Sequence, residues 1–190
     1  MPQSPDAEYF WQDDTLRLRA IRPDDWEAHY ANRFDTPARR LLEAEVELPP
    51  TETEAHQFAE EWADFRSTSH RIMFTIESLA GDNLGGINLN SIDERHGTFS
   101  IGLQIDRGHR GHGYGTRAMR ILLRYAFCER RLHKFNAAVM EGNTASIRML
   151  EKLGCRAEGV RRQVHFTQGR YVDAILYGLT RDEFARTDGG

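Results

Sequence analysis

The sequence has no apolar run that could cross a membrane, since none approaches about 18 residues. Its first residues, MPQSPDAEYFWQDD, have neither the basic nor the apolar segment of a secretion signal. The 25 Lys and Arg residues are outnumbered by 29 Asp and Glu, for a formal net charge of −4. No global positive field therefore attracts nucleic acid or an anionic membrane. These absences predict a cytoplasmic protein that binds neither nucleic acid nor membrane.

Cysteine is equally scarce, because only Cys128 and Cys155 occur. Two cysteines provide neither a disulfide framework nor a zinc pattern, and both lie in apolar contexts that predict packing in the core. Asp106, His109 and His112 are spaced like metal ligands, but they lie in a glycine-rich loop and not on one helix face. No metal site is therefore predicted.

The chain length of 190 residues allows one domain with a sizeable core and is too short for two comfortable ones. The composition, 39% hydrophobic and 28% charged, is that of a soluble globular protein. We expect an N-terminal extension at 1–13, one folded domain at 14–182 and a flexible tail at 183–190.

Alternating apolar and polar residues predict seven strands, at 15–21, 71–78, 84–92, 98–106, 134–140, 159–166 and 171–179. Four helices are expected, after RPDDW, from Thr51, after the glycines near 110, and from Asn143 to a left-handed stop at Gly154. The three consecutive strands indicate an antiparallel meander, whereas strands 98–106 and 134–140 flank a helix and should run parallel. The fold class is therefore α/β (α+β), with a mixed, mostly antiparallel sheet flanked by helices.

Two of these helices show clear amphipathic spacing. Thr51 and Glu54 form a predicted capping box, followed at roughly helical spacing by Ala55, Phe58, Trp62 and Phe65. In the helix after the glycines, the positions that recur at i, i+3, i+4 and i+7 are Ala118, Ile121, Leu122 and Tyr125. Each pattern predicts one apolar face that packs on the rest of the protein.

The segment DRGHRGHGYGTRAMR, residues 106–120, places glycines at 108, 111, 113 and 115 directly before the third predicted helix. Glycine is needed where a backbone turns sharply or where a ligand approaches it closely. Both needs arise where backbone N–H groups hold a phosphate at the start of a helix. The segment therefore predicts a phosphate-binding loop.

Two common phosphate motifs fit this loop poorly. A Walker A loop needs Lys and then Ser or Thr after its last glycine, but Tyr114 follows Gly113. The letters Gly113-Tyr-Gly115-Thr-Arg-Ala118 match a dinucleotide fingerprint locally, with Glu141 as the ribose ligand. Only about fifty residues follow the next strand, however, which is too few for a second mononucleotide-binding half.

A third motif extends beyond the loop. Arg110-x-x-Gly113-x-Gly115, between a strand and a helix, resembles the pyrophosphate-binding motif of the GNAT N-acetyltransferases. GNTASIRMLEKLGC is similar to that family's Asn-x-x-Ser/Ala helix, and EGVRRQVHFTQGRYVDAILYGL is similar to the ending of the ribosomal-protein N-terminal acetyltransferase branch. The three motifs occur in the family's order, and the resemblance covers about residues 14–180.

The resemblance implies acetyl-CoA as cosubstrate in a single GNAT domain, with the parallel strands 98–106 and 134–140 splayed apart. Pantetheine would pair along Leu103 to Ile105, and Gly102 would ease the distortion of the strand. Backbone N–H groups of the loop would hold the pyrophosphate, with added charge from Arg110. The residues implied to bind acetyl-CoA are Leu103, Gln104, Ile105, Arg110, Gly111, His112, Gly113, Tyr114, Gly115, Thr116, Asn143 and Ser146.

The sequence departs from the family at two catalytic positions. Leu150 stands where many members have the tyrosine acid, and Ser100 stands where many have a glutamate base. The resemblance implies two substitutes, Ser146 near the CoA sulfur and Glu158 as a base for the amine. Ser146 could equally satisfy a helix-end N–H, and Glu158 could equally brace a turn.

The function implied is transfer of an acetyl group from acetyl-CoA to a primary amine by direct attack in a ternary complex. The absent tyrosine keeps one alternative open, a non-catalytic sensor of acyl-CoA. Residues 41–65 contain eight carboxylates and no Lys or Arg, which predicts a cationic acceptor such as a basic peptide N-terminus, a polyamine or an aminoglycoside. A solvated acidic helix face explains the same charges equally well. A homodimer is one possible assembly.

Overall fold

The structure, a computed structural model, describes residues 9–63 and 71–188. Its strands are β1 (Leu16–Arg19), β2 (Arg71–Ser78), β3 (Asn83–Asp93), β4 (Thr98–Ile105), β5 (Lys134–Met140), β6 (Arg156–Thr167) and β7 (Arg170–Thr180). Its helices are α1 (Trp26–Arg33), α2 (Thr36–Glu43), α3 (Glu52–Trp62), α4 (Tyr114–Arg124), α5 (Thr144–Lys152) and α6 (Arg181–Asp188). In this part of the chain, no helix combines the length and the apolar character that a membrane span requires.

The seven strands form one sheet in the order β1-β2-β3-β4-β5-β7-β6. Strands β2, β3 and β4 form the predicted antiparallel meander, and β4 runs parallel to β5. This parallel pair is short, because only Thr98 with Lys134 and Phe99 with Phe135 are in register. The predicted fold class is therefore confirmed, and the two central strands diverge toward their carboxyl ends.

Helix α4 covers one face of the sheet, as its amphipathic spacing predicts. Ala118, Ile121 and Leu122 are buried against that face. Phe99 of β4 lies there between Phe127, at a ring centroid distance of 5.3 Å, and Phe135, at 5.7 Å. Burying each ring of this size contributes about 1.5–3 kcal/mol to the stability of the fold. This cluster therefore holds β4 and β5 together at the short stretch where the two strands pair.

Helix α2 was not predicted. It begins at Asp35, whose carboxylate accepts a hydrogen bond from the Ala38 N–H at 3.4 Å, and it ends at Ala44 in the left-handed conformation. The sequence signal was an N-cap aspartate followed by a proline in the first turn. Helix α3 begins as predicted, because the Glu54 N–H donates to the Thr51 hydroxyl at 3.2 Å. Its expected continuation to Phe65 lies outside the described residues.

The segment predicted as a tail from residue 183 is helical over its described part. Residues 181–188 form α6, because Phe184 is buried against Phe127 at 5.3 Å. The Glu183 carboxylate accepts hydrogen bonds from the Thr180 N–H and hydroxyl, at 3.0 and 2.9 Å, and fixes the helix start.

The extension at the other end also contacts the domain, since Trp11 packs on Tyr125 at 4.6 Å. The cysteine prediction holds for only one residue. Cys155 is buried and burial raises the pKa of its thiol to about 12, whereas Cys128 is exposed.

Candidate active site

The open edge of β4 is the first feature of the site. Just past the last β4–β5 pair, the Ser100 hydroxyl donates to the Asn136 carbonyl at 2.9 Å. Beyond it, no described strand pairs with β4 on the side of β5, although β3 pairs with the other side as far as Ile105. Such an edge presents free N–H and C=O groups to an extended ligand that carries amides. Leu103, Gln104 and Ile105 lie along it, where the sequence places them.

The glycine loop leads from this edge to α4. Gly111 and Gly113 have φ of +83° and +82°, which side chains rarely adopt, and open space surrounds both. Within the described residues, the N–H groups of Tyr114, Gly115 and Thr116 have no hydrogen-bond partner, since the first helical bond is donated by Arg117. Free N–H groups at a helix start attract an anion, so the loop fits a pyrophosphate.

Replacing Gly113 with alanine should weaken acetyl-CoA binding about tenfold, measured by titration calorimetry. A left-handed alanine costs about 1–2 kcal/mol, and the loop relieves this strain only by turning its N–H groups away from the ligand. Asparagine at 113 should cost less, because it tolerates that conformation. Gly108→Ala is the matched control, since Gly108 has an ordinary φ and equally open space. Equal affinities for Gly113→Ala and Gly108→Ala would contradict the assignment of the loop.

Two other glycines make room for neighbouring side chains. A Cβ on Gly115 would lie 3.2 Å from Leu103 Cδ2 and 3.4 Å from Met149 Sδ. The missing side chain of Gly115 therefore allows α4 to pack against β4 and α5, while its N–H is one of the free donors at the helix start. A Cβ on Gly102 would lie 2.6 Å from the Asn88 side-chain nitrogen, so this glycine makes room for that side chain.

Arg110, which was predicted to add charge for the pyrophosphate, has two partners within the protein. Its Nε donates to the Ile105 carbonyl at 2.8 Å, and its guanidinium lies 2.7 Å from the Asp35 carboxylate. Arg107 binds the same carboxylate at 3.0 Å, and this bond, followed by that of Arg110, holds the pKa of Asp35 below its usual value. The arginines tie the glycine loop to the start of α2. His112 is exposed and stacks on Tyr114, with ring centroids 5.6 Å apart.

Helix α5 brings the predicted Asn143 and Ser146 to the carboxyl end of β5. The Asn143 side chain accepts from the Ser146 N–H at 3.2 Å, so Asn143 is the N-cap. The Ser146 hydroxyl makes no hydrogen bond to any described residue. The side chain that satisfies an N–H group at the helix end is therefore that of Asn143, and not that of Ser146. Leu150 is buried and offers no proton donor.

Glu158 lies away from Ser146. It occupies a bulge in β6, where its carboxylate covers Gly178 and contacts the Lys134 ammonium at 2.7 Å. Gly178 pairs with Asn136, about 13 Å along β5 from the strand end that precedes α5. Helix α5 packs on the α4 face of the sheet, and Glu158 lies on the opposite face. The structure therefore does not bring the two predicted catalytic residues together.

That opposite face carries a cavity of about 310 Å³ between α1, α2 and α3 and the strands β2, β3 and β4. Gly102, Leu103 and Gln104 line it, and the same residues lie on the open edge of β4. The cavity and the edge are therefore the two sides of one strand segment. A chain bound along the edge and a molecule in the cavity would meet there.

The cavity wall is not the acidic surface that the sequence predicts. Arg39 binds Glu43 at 3.1 Å and Glu47 at 2.7 Å. Arg33 lies 3.3 Å from both Glu47 and Glu54. The carboxylates that face the cavity are thus paired with arginines that precede the acidic stretch in sequence. The charge count alone misses them because the pairs form only in the folded chain.

His29 and Asn32 are polar residues at this cavity that were missed by the sequence analysis. His29 stacks on Phe58 with ring centroids 3.8 Å apart, and burial, followed by Arg39 and Arg33, lowers its pKa to about 4. Asn32 donates to the Asp106 carboxylate at 2.6 Å, and burial raises the pKa of Asp106. His29 and Asn32 are one turn apart on α1, but no sequence signal shows which face of α1 borders a cavity.

Comparison with known proteins places these features in context. The family model of the Acetyltransferase (GNAT) domain matches residues 15–156. The SPbeta prophage-derived uncharacterized N-acetyltransferase YokL of Bacillus subtilis (strain 168) is 31% identical over 185 residues, which cover 96% of this chain and 99% of that protein. The L-methionine sulfoximine/L-methionine sulfone acetyltransferase of Pseudomonas paraeruginosa (strain DSM 24068 / PA7) is 27% identical over 64% of this chain and 72% of that protein. A structure of spermidine N-acetyltransferase from Vibrio cholerae, in complex with CoA and spermine, superposes with a TM-score of 0.80 at 20% identity, over 91% and 99% of the two chains.

Proposed function

The chain belongs to the GNAT acetyltransferase family, and from that premise we propose that it acetylates a primary amine held in the cavity beside β4. It is an acetyl-CoA-dependent N-acetyltransferase. The observation that carries the proposal is that Gly102, Leu103 and Gln104 lie on the open edge of β4 and also line the cavity. The acceptor classes proposed are a peptide N-terminus, a polyamine and an aminoglycoside. Amine acceptors are supported by the similarity to the L-methionine sulfoximine/L-methionine sulfone acetyltransferase and to the spermidine N-acetyltransferase structure.

Membership in the ribosomal-protein N-terminal acetyltransferase branch is part of the proposal, supported by the sequence of β6 and β7. A homodimer is proposed as well. Its support is the apolar surface of that hairpin, where four large side chains are exposed: Val160, Val164, Phe166 and Tyr171.

The residues present fit acetyl-CoA. When bound, it supplies an acetyl thioester, whose carbon is the electrophile. The free N–H groups at the start of α4 hold the pyrophosphate, and the edge of β4 holds the extended arm in line with them. The acceptor nitrogen approaches from the cavity side of β4, forms the N–C bond, and must lose a proton as the C–S bond breaks.

We propose distinct proton roles for the two predicted catalytic residues. The unpartnered Ser146 hydroxyl donates a hydrogen bond to the departing sulfur. Glu158 lies on the cavity face of the sheet but is not among the residues that line the cavity. It therefore takes the proton of the amine through a bridging water. Its ion pair with Lys134 holds the carboxylate in place.

Ser146→Ala should lower kcat about ten- to hundredfold while the KM for acetyl-CoA stays near that of the wild type. A hydrogen bond to a charged group contributes about 1.5–3 kcal/mol, and this one forms only as the thiolate appears. Thr144→Ala is the matched control, since it removes an exposed hydroxyl from the same helix turn. Glu158→Gln, which keeps the size of the side chain, should also lower kcat. A wild-type kcat in either variant would remove that residue from the mechanism.

The function itself is tested by thiol release from acetyl-CoA with a panel of peptides, amino-acid amides, spermidine and aminoglycosides. We expect turnover with at least one class. Thermal stabilisation by CoA with no turnover across the whole panel would overturn the proposal and favour the acyl-CoA sensor.

A further inference from the structure

Two residues that line the cavity, Arg33 and Gln104, have a buried side-chain donor without a hydrogen-bond partner among the described residues. The Arg33 Nε lies 3.3 Å from the Glu47 carboxylate, which balances its charge, whereas the free donor of Gln104 has no such neighbour in the part of the chain that the structure describes. The Gln104 side-chain carbonyl accepts from the Arg39 guanidinium at 3.0 Å. Its Nε2 is buried and has no hydrogen-bond partner among the described residues. A buried donor without a partner is costly, so this group indicates an atom that a ligand supplies.

The orientation of this amide follows from its partner. Arginine has donors only, so the oxygen of Gln104, and not its nitrogen, must face Arg39. Arg39 is itself held by Glu47 through two hydrogen bonds of 2.7 Å and by Glu43 at 3.1 Å. Turning the amide to offer its oxygen to the cavity would place the Nε2 donor against the Arg39 donor and remove the acceptor of that hydrogen bond.

Resting on the proposed function, we propose that Gln104 donates from Nε2 to a carbonyl oxygen next to the reactive amine and so selects α-amino carbonyl compounds over polyamines. The backbone of Gln104 lies on the open edge of β4 and its side chain lies on the cavity face. An oxygen bound to it is therefore one side-chain length from the strand along which the donor lies. In an amino acid, an amino-acid amide or a peptide N-terminus, the carbonyl carbon is bonded to the carbon that carries the amine. When the oxygen of such a molecule binds Gln104, its amine therefore lies near the strand that holds the acetyl donor.

A polyamine lacks what this site needs. Its protonated nitrogens are donors without an acceptor atom, so they leave Nε2 unpaired. The carboxylates that line the cavity and would attract a polyamine are already bound by Arg19, Arg33 and Arg39. A site built to hydrogen-bond a substrate atom rejects an analogue that lacks it far more strongly than an apolar pocket rejects a missing methylene.

The first test uses the wild-type protein and two acceptors of similar size, alanine amide and propane-1,2-diamine. Acetylation of alanine amide should have a kcat/KM more than about tenfold above that of the diamine. Turnover of the diamine and of spermidine at equal or higher kcat/KM would overturn the inference and leave the proposed function standing. Turnover of no acceptor in the panel would instead mean that the proposed function itself has failed.

The second test replaces Gln104 with glutamate, which exchanges the Nε2 donor for an acceptor oxygen at nearly the same size. We expect Gln104→Glu to invert the preference, so that the ratio of kcat/KM for alanine amide to that for the diamine falls more than about tenfold. Gln104→Met, which keeps the length and removes the donor, should lower the ratio without inverting it. Calorimetric binding of CoA checks that both variants are folded. An unchanged ratio in folded variants would overturn the role of Gln104, and if neither folds, the wild-type preference decides.

Discussion

Replacing Gly85 with alanine should destabilise the protein by about 2–5 kcal/mol, whereas the same change at the neighbouring Gly86 should alter stability by less than about 1 kcal/mol. Gly85 has a φ of +141°, and a Cβ there would overlap the Gln104 carbonyl oxygen and lie 3.0 Å from Ile105 Cα. These are backbone atoms, so the clash is relieved only if β3 and β4 separate. A Cβ on Gly86 meets only the Phe74 carbonyl, at an ordinary 3.7 Å.

Urea unfolding of the two variants and the wild type measures this difference. Because Gly85 pairs with Ile105 at the end of the open β4 edge, Gly85→Ala should also weaken acetyl-CoA binding where it still folds. A shift in the urea midpoint that is equal for both variants would mean that β3 can move away from β4 at little cost. The open edge would then be less rigid than its hydrogen bonds to β3 indicate.

Much of the sheet could be predicted from sequence because its signals are local. The alternation of apolar residues in RIMFTIES and KFNAAVM gave the bounds of β2 and β5 as the structure has them. The parallel direction of β4 and β5 followed from the helix between them. Helix α2 was missed because it has only eight residues, which is shorter than the window over which helical periodicity can be recognised, and none of them is buried.

The site was predicted less well, because the partners of its charged groups are distant in sequence. Arg110 is 75 positions from Asp35, which occupies its guanidinium, and Glu47 is paired by two arginines from the preceding helices. Charge is visible in a sequence, but the pairing that neutralises it depends on tertiary structure. The helix cap at Asn143 could be predicted, since its partner is three residues away.

Between pH 7 and pH 4, the wild type should lose on the order of 3 kcal/mol more of its unfolding free energy than a His29→Gln variant loses. In the folded protein burial, with Arg39 and Arg33, lowers the pKa of His29 from 6.5 to about 4. Below pH 6.5 the unfolded chain therefore binds a proton that the folded chain excludes, and stability falls as the pH falls toward 4. Each unit of this shift corresponds to about 1.4 kcal/mol.

Urea unfolding at several pH values, with the difference between the two proteins plotted against pH, isolates His29. The carboxylates with lowered pKa, such as Asp25 and Glu77, also make the protein less stable in acid, but they do so in both proteins. His96→Gln is the control, because His96 lies exposed in a turn and its variant should follow the wild type. A neutral His29 at pH 7 adds no cation to a cavity whose arginines are already balanced by Glu43 and Glu47. Parallel curves for the wild type and His29→Gln would mean that the folded protein binds this proton as readily as the unfolded chain. The ring would then be charged below about pH 6.5, and the cavity would attract an anionic group of the acceptor at mildly acidic pH.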